Sequence, residues 1–164
     1  LRYFNASGAP VAGGSGEDHD PETHLIPLAL QASDGSRGPL TVFGSDWDTP
    51  DGTCVRDYIH IDDLAEAHVL ALAGLDNGLD SFAVNLGNGT GYSVREVIDS
   101  VERITGRGVP HSDGDRRAGD PAVLVAGADQ AAKILGWKPA MSSLDAIVET
   151  AAAWHGTGWK ARRA

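Results

Sequence analysis

Between Val55 and Leu72 the hydrophobic period changes without a linker. Val55 to Ile61 alternates like a half-buried strand, whereas Leu64, Ala67, His68, Ala71 and Leu72 recur at the spacing of one helix face. Asp62 or Asp63 stands at the junction, where a short acidic side chain can accept a free amide and cap the helix. A strand that runs straight into a helix sends the chain back along the sheet, the unit from which parallel sheets are built.

The same rhythm recurs along the chain. Phe82-Ala83-Val84-Asn85-Leu86 is a strand, and Ser93 with Glu96 forms a capping box that opens a helix from Val94 to Ile104. Leu40-Thr41-Val42-Phe43 and Val123-Leu124-Val125-Ala126 are short strands. An apolar helix spans Leu25 to Ala32, another ends at Leu135, and Leu144, Ile147, Val148 and Ala151 share one face of a last helix. The expected class is α/β, with short strands alternating with helices. Leu1-Arg2-Tyr3-Phe4-Asn5 is a strand with no turn or cap before it, which gives the expectation of a missing upstream segment and an unpaired, apolar edge. Residues 6–23, rich in Gly, Pro and acids, form a long loop.

At 164 residues and 41% hydrophobic the chain can bury one real core, so one domain is the default. No apolar run approaches the roughly eighteen residues of a membrane helix, and no signal peptide opens the chain, which makes a cytoplasmic location the simplest expectation. Cys54 is the only cysteine, leaving neither an internal disulfide nor a Cys-rich metal framework. A net charge of −10 argues against a nucleic-acid binder, because backbone affinity rests on clustered Lys and Arg. Arg56 and the pair Arg116-Arg117 are local exceptions where a phosphate ligand can be met; Lys160, Arg162 and Arg163 belong to a solvated tail.

Three motifs invite chemistry. Gly87-Asn88-Gly89-Thr90-Gly91 lies between a strand and a helix, but a dinucleotide fingerprint needs its third glycine where Tyr92 stands, so a structural turn is preferred. Glu17-Asp18-His19-Asp20-Pro21-Glu22-Thr23-His24 has the residue types of a divalent-cation site. His19 and His24 are five apart, which is not a one-face helical spacing, so an acidic solvated loop is preferred and no metal ligand is assigned. Gly14-Ser15-Gly16-Glu17 lacks the last glycine of a nucleophile elbow.

The specific signal is Asp51-Gly52-Thr53-Cys54-Val55-Arg56-Asp57-Tyr58-Ile59-His60, followed by Ile61-Asp62-Asp63-Leu64-Ala65. It closely resembles the corresponding segment of bacterial UDP-glucose/UDP-galactose 4-epimerases, within the extended short-chain dehydrogenase/reductase superfamily. The resemblance continues, in the family's order, through Leu1 to Asn5, His24-Leu25-Ile26-Pro27, Val42-Phe43-Gly44, Asn85-Leu86-Gly87, Arg116-Arg117-Ala118-Gly119-Asp120 and Leu135-Gly136-Trp137.

The resemblance implies the C-terminal, substrate-binding part of a Rossmann-type enzyme: residues 1–5 as the trailing strand of the cofactor-binding domain and 6–164 as the nucleotide-sugar domain. It implies that Phe4 touches the nicotinamide side of NAD and Asn5 the substrate, and that Thr41, Val42 and Phe43 line the uracil. His24 and Leu25 would approach the diphosphate, Arg56 and Arg117 neutralise it, and Asp120 accept from the ribose hydroxyls. His24 replaces an Asn common in the family, and Leu124 stands beside the sugar where some members hold a tyrosine, opening the site to UDP-N-acetylhexosamines.

The family removes the sugar C4 hydride to NAD and returns it to the other face, with a Tyr-x-x-x-Lys base. Tyr3, Tyr58 and Tyr92 are followed four residues later by Ser7, Asp62 and Glu96, so the catalytic pair is expected upstream of Leu1. Two expectations remain open: an epimerase half that is inactive alone and homodimeric when full length, or a non-catalytic nucleotide-sugar-binding module. A related decarboxylase or dehydratase is the alternative chemistry.

Overall fold

The computed structural model describes residues 1–141 and 143–156, so the tail residues Lys160, Arg162 and Arg163 lie outside the described residues. In chain order the elements are β1 (Arg2–Tyr3), β2 (Asn5–Ser7), α1 (Leu25–Ser33), β3 (Leu40–Phe43), β4 (Val55–His60), α2 (Ile61–Asp76), β5 (Asn85–Leu86), β6 (Gly91–Ser93), α3 (Val94–Thr105), β7 (His111–Gly114), β8 (Val123–Leu124), α4 (Asp129–Leu135) and α5 (Leu144–His155). The class is α/β.

Strand β4 organises the molecule. Its second half pairs in parallel with β2, Asn5 opposite Tyr58 and Ser7 opposite His60, while its first half pairs antiparallel with β6 and in parallel with β8. Successive side chains on a strand point to opposite faces. Tyr58 accordingly joins the core built with α1, β3, α3 and α5, and the next residue, Ile59, joins a second core with α2, β5 and Trp137. Burying an apolar side chain of this size contributes about 1.5–3 kcal/mol relative to exposure, and at Tyr58 and Ile59 β4 gains this on both faces.

The helices begin where the chain supplies partners for free amides. Ser93 accepts from Glu96 N, and Glu96 reaches back to Ser93 N, so the expected capping box opens α3; Gly106, at φ 66°, closes it in the left-handed conformation that glycine adopts without cost. Pro27 sits in the first turn of α1, where it loses nothing: the first helical bond runs from Leu28 N to His24 O. Leu144, Ile147, Val148 and Ala151 are buried together on one face of α5.

Four local features depart from expectation. The opening strand divides at Phe4, with β1 pairing in parallel with β5 and β2 with β4; Arg2 and Tyr3 therefore have a parallel neighbour after all. Helix α2 starts two or three residues earlier than an Asp62 or Asp63 cap implies, at Ile61, and is capped by His60, whose Nδ1 accepts from Asp62 N at 3.1 Å. Asp63 is thereby free to turn inward, where its carboxylate accepts from Ala140 N and Met141 N at 2.8 and 3.0 Å. The strands expected at 82–86 and 123–126 shorten to two residues each. The fourth is β7, His-Ser-Asp-Gly, which has no apolar alternation yet pairs in parallel with all of β3. Among the described residues no helix is long and apolar enough to cross a membrane.

Candidate functional site

Alternation along β4 sorts its side chains by task. Cys54, Arg56 and Tyr58 face an open cleft of about 520 Å³, which Asn5, His24, Leu25, Thr41, Phe43, Arg117 and Asp120 also line. Arg56 is largely buried, donates from Nη1 to Val55 O at 2.8 Å, and keeps Nη2 3.6 Å from Asp120 Oδ1. That separation is too long for a direct hydrogen bond, so its outer donors are available to a ligand. The Arg117 guanidinium carbon lies over the Phe43 ring, 3.9 Å from its centroid, a cation–π contact. Two always-charged forks thus converge on one concave surface whose walls include Leu25, Leu28, Leu40 and Phe43. Such a surface suits a planar, partly apolar group joined to a multivalent anion.

Arg116 is engaged elsewhere. Its Nε donates to Asp46 Oδ1 at 2.6 Å, its Nη2 to the Asp46 carbonyl, and its guanidinium lies 4.1 Å over Trp47, so it braces the loop before β4.

Of the remaining sequence candidates, Phe4, Val42 and Leu124 lie apart from the cleft lining, whereas Asn5 is part of it. Phe4 is half-buried at the break between β1 and β2. Val42 is 1% exposed in the core, so any contact with a ligand must come through its backbone. Leu124 sits opposite Arg56 in the β4–β8 register and is 38% exposed. Asn5 already donates its side-chain amide to Asp57 O at 2.7 Å.

Arg37, Cys54 and Tyr58 were not singled out in the sequence but line the cleft. For Cys54 and Tyr58 the missed signal is the strand period itself, since positions 54, 56 and 58 share a face. Burial pushes the Cys54 thiol and the Tyr58 phenol up, so both stay protonated and neither is an activated nucleophile or base. Arg37 Nη1 is buried with no hydrogen-bond partner among the described residues.

The glycine loop is spoken for internally. Asp57, fully buried on the opposite face of β4, accepts from Asn88 N, Gly89 N and Ala126 N at 3.0, 3.3 and 3.1 Å. A Cβ on Gly87 would meet Asp57 Oδ2 at 2.5 Å, so the close approach demands glycine. Amides that already hold a carboxylate have none left for a diphosphate, and the structural-turn reading of residues 87–91 stands.

The profile of the NAD dependent epimerase/dehydratase family matches residues 1–87. The chain is 50% identical over 155 residues to the UDP-glucose 4-epimerase of Lacticaseibacillus casei, covering 94% of this chain and 47% of that protein. It is 54% identical to that of Azospirillum brasilense, covering 94% and 44%. Among solved structures it superposes on UDP-glucose 4-epimerase from Brucella ovis in complex with NAD at TM-score 0.91 and 54% identity, over 94% of this chain and 48% of that one. It matches the Bifidobacterium longum enzyme in complex with NAD+ and UDP at TM-score 0.88 and 40% identity, over 96% and 47%. The chain thus spans about half the length of the relatives it matches. A matched family profile over more than half of its residues, a shared α/β fold and close identity across nearly its whole length make this chain a member of the NAD dependent epimerase/dehydratase family.

Proposed function

We propose that this chain forms the nucleotide-sugar-binding half of a UDP-glucose/UDP-galactose 4-epimerase, with residues 1–5 as the last strand of the cofactor domain and 6–164 as the substrate domain. The observation that carries the reading is the convergence of Arg56 and Arg117 on one cleft, with Phe43 stacked beneath Arg117. In this reading the diphosphate lies between the two guanidiniums, the uracil packs along Thr41, Val42 and Phe43, and Asp120 accepts from the ribose. His24 and Leu25 flank the diphosphate from the start of α1. Fixing the nucleotide provides binding energy while leaving the sugar free to present either face.

NAD, when bound, accepts and returns the C4 hydride. Only Phe4 of this chain is proposed to reach it, since in the glycine-rich turn 87–91 the Asn88 and Gly89 amides already donate to Asp57. The base and the phosphate cradle are therefore assigned to sequence outside these 164 residues, and the isolated chain is expected to turn over no UDP-galactose. A cytoplasmic homodimer is the proposed state of the full-length enzyme.

Titration calorimetry with UDP tests the site. Arg117→Ala is expected to lose affinity and Arg116→Ala to keep it; the reverse pattern would move the anion to the loop before β4. Leu124, half-exposed beside Arg56, carries the proposal that N-acetylated sugars are also accepted. In the full-length enzyme Leu124→Tyr is expected to lower activity on UDP-N-acetylglucosamine by about tenfold or more while sparing UDP-galactose. Equal loss of both would return Leu124 to a purely structural role.

A further inference from the structure

The loop that leads into α1 folds back on itself. Glu17, His19, Glu22 and His24 each turn one donor atom inward, and these four atoms lie within 4.8 Å of one another. We propose that they form a site for one divalent cation of the zinc class, held by two imidazole nitrogens and two carboxylate oxygens.

Donor spacing fits that ion. A tetrahedral zinc with bonds of about 2.0–2.1 Å needs donors about 3.3–3.4 Å apart. His19 Nδ1 is 2.9 Å from Glu17 Oε1, and both Nδ1 atoms are 3.7 Å from Glu22 Oε1, so the observed spacings straddle the required one; His24 Nδ1 also contacts Glu17 Oε1. Closure on an ion also requires the tight His24–Glu17 contact to open and the widest pair, within 4.8 Å, to draw together.

Charge points the same way. The Glu17 and Glu22 side chains are only 19% and 8% exposed, and among the described residues their sole ionic partners are these two imidazoles, with no Lys or Arg. Two adjoining, largely buried carboxylates are costly without a positive charge between them, and neutral imidazoles supply none. A bound cation supplies it and uses the imidazole lone pairs as well.

The donors are already held in place. Glu22 Oε1 accepts from Thr23 N and His24 N at 2.6 and 2.8 Å, and Glu17 O accepts from Trp154 Nε1 of α5 at 3.0 Å. His24 occupies the N-cap of α1 without capping it, its imidazole being turned toward Glu17 instead. Because every donor is on irregular backbone, the five-residue interval between the histidines sets no geometric bar.

The competing arrangement is a Glu17 carboxylate bridging two protonated imidazoles. Titrating the untagged, metal-free protein with Co²⁺ separates them: the cation site gives a saturable one-to-one visible band of a four-coordinate ion, displaced by Zn²⁺. His19→Ala and the near-isosteric Glu17→Gln are expected to weaken binding by at least about tenfold, while His111→Ala on β7 leaves it unchanged. Absence of saturable one-to-one binding, or equal binding by Glu17→Gln and the unaltered protein, would overturn the proposal. The experiment contains no nucleotide, so it stands or falls apart from the epimerase reading.

Discussion

Adjacent residues of β4 lead to two regions with the composition of an anion site, and only one of them has capacity left. Behind the strand, Gly87–Gly91 offers backbone amides at a strand end, but Asp57 has taken those of Asn88 and Gly89, together with Ala126 N from beyond β8. In front, Arg56 and Arg117 face the cleft with a backbone carbonyl, a distant carboxylate and an aromatic ring as their company. Glycine content would have pointed to the first region; unfilled hydrogen-bonding capacity points to the second. Ligands compete with internal partners, and amides already bonded to a buried carboxylate are poor candidates for exchange.

The hardest blow to this contrast is Asp57→Ala. It strands three amides that the carboxylate now satisfies, and should lower unfolding free energy by roughly 3–5 kcal/mol in urea titration. A loss below about 1 kcal/mol would mean the turn holds itself and its amides are open to a ligand after all.

Next in size is the arginine pair. Arg117→Ala should cost about 2–5 kcal/mol of UDP affinity by calorimetry, whereas Arg116→Ala, which breaks only an exposed contact with Asp46 and Trp47, should cost less than about 1 kcal/mol. Comparable losses would erase the distinction between a cleft-facing guanidinium and a loop brace.

The smallest effect sharpens the comparison by pH. Burial alone would raise the Asp51 carboxyl, but hydrogen bonds from Ser93 and from Thr53 outweigh it and hold it below its ordinary value. A carboxylate depressed in the folded state adds stability that is present above its unfolded pKa and lost as pH falls through the folded one. Asp51→Asn should therefore cost about 1 kcal/mol near neutrality and nothing in strong acid, with UDP affinity unchanged at pH 7. An equal cost at both extremes would show that shape, rather than charge, joins this loop to α3.

What was legible in the sequence follows the range of the forces involved. β3 was found at Leu40–Phe43 and the α3 start at Ser93 because alternation and capping are decided within a few residues. The break at Phe4 was not, because it is decided by strands about fifty and eighty positions away, β4 and β5. β7 was missed for a related reason: an exposed His-Ser-Asp-Gly carries no apolar period, and only its pairing with β3 makes it a strand. His60 displaced Asp62 and Asp63 as cap because Asp63 had a longer-range use, bridging to Ala140 and Met141. In the site, Arg56 and the Arg116-Arg117 pair stood out as basic exceptions in an acidic chain, whereas Phe43, Asp120 and the choice of Arg117 over Arg116 came from resemblance. The convergence of Glu17, His19, Glu22 and His24 was unreadable because irregular backbone has no spacing rule.

Phe43 has a further consequence, which belongs to the dynamics of association. An arginine free in solvent samples many rotamers, and immobilising such a side chain on binding costs about 0.5–1.5 kcal/mol. The Arg117 guanidinium already sits over an aromatic ring 3.9 Å away, a contact that favours this rotamer before any ligand arrives. An arriving diphosphate thus meets a guanidinium already held against a surface, and less entropy is lost in fixing it.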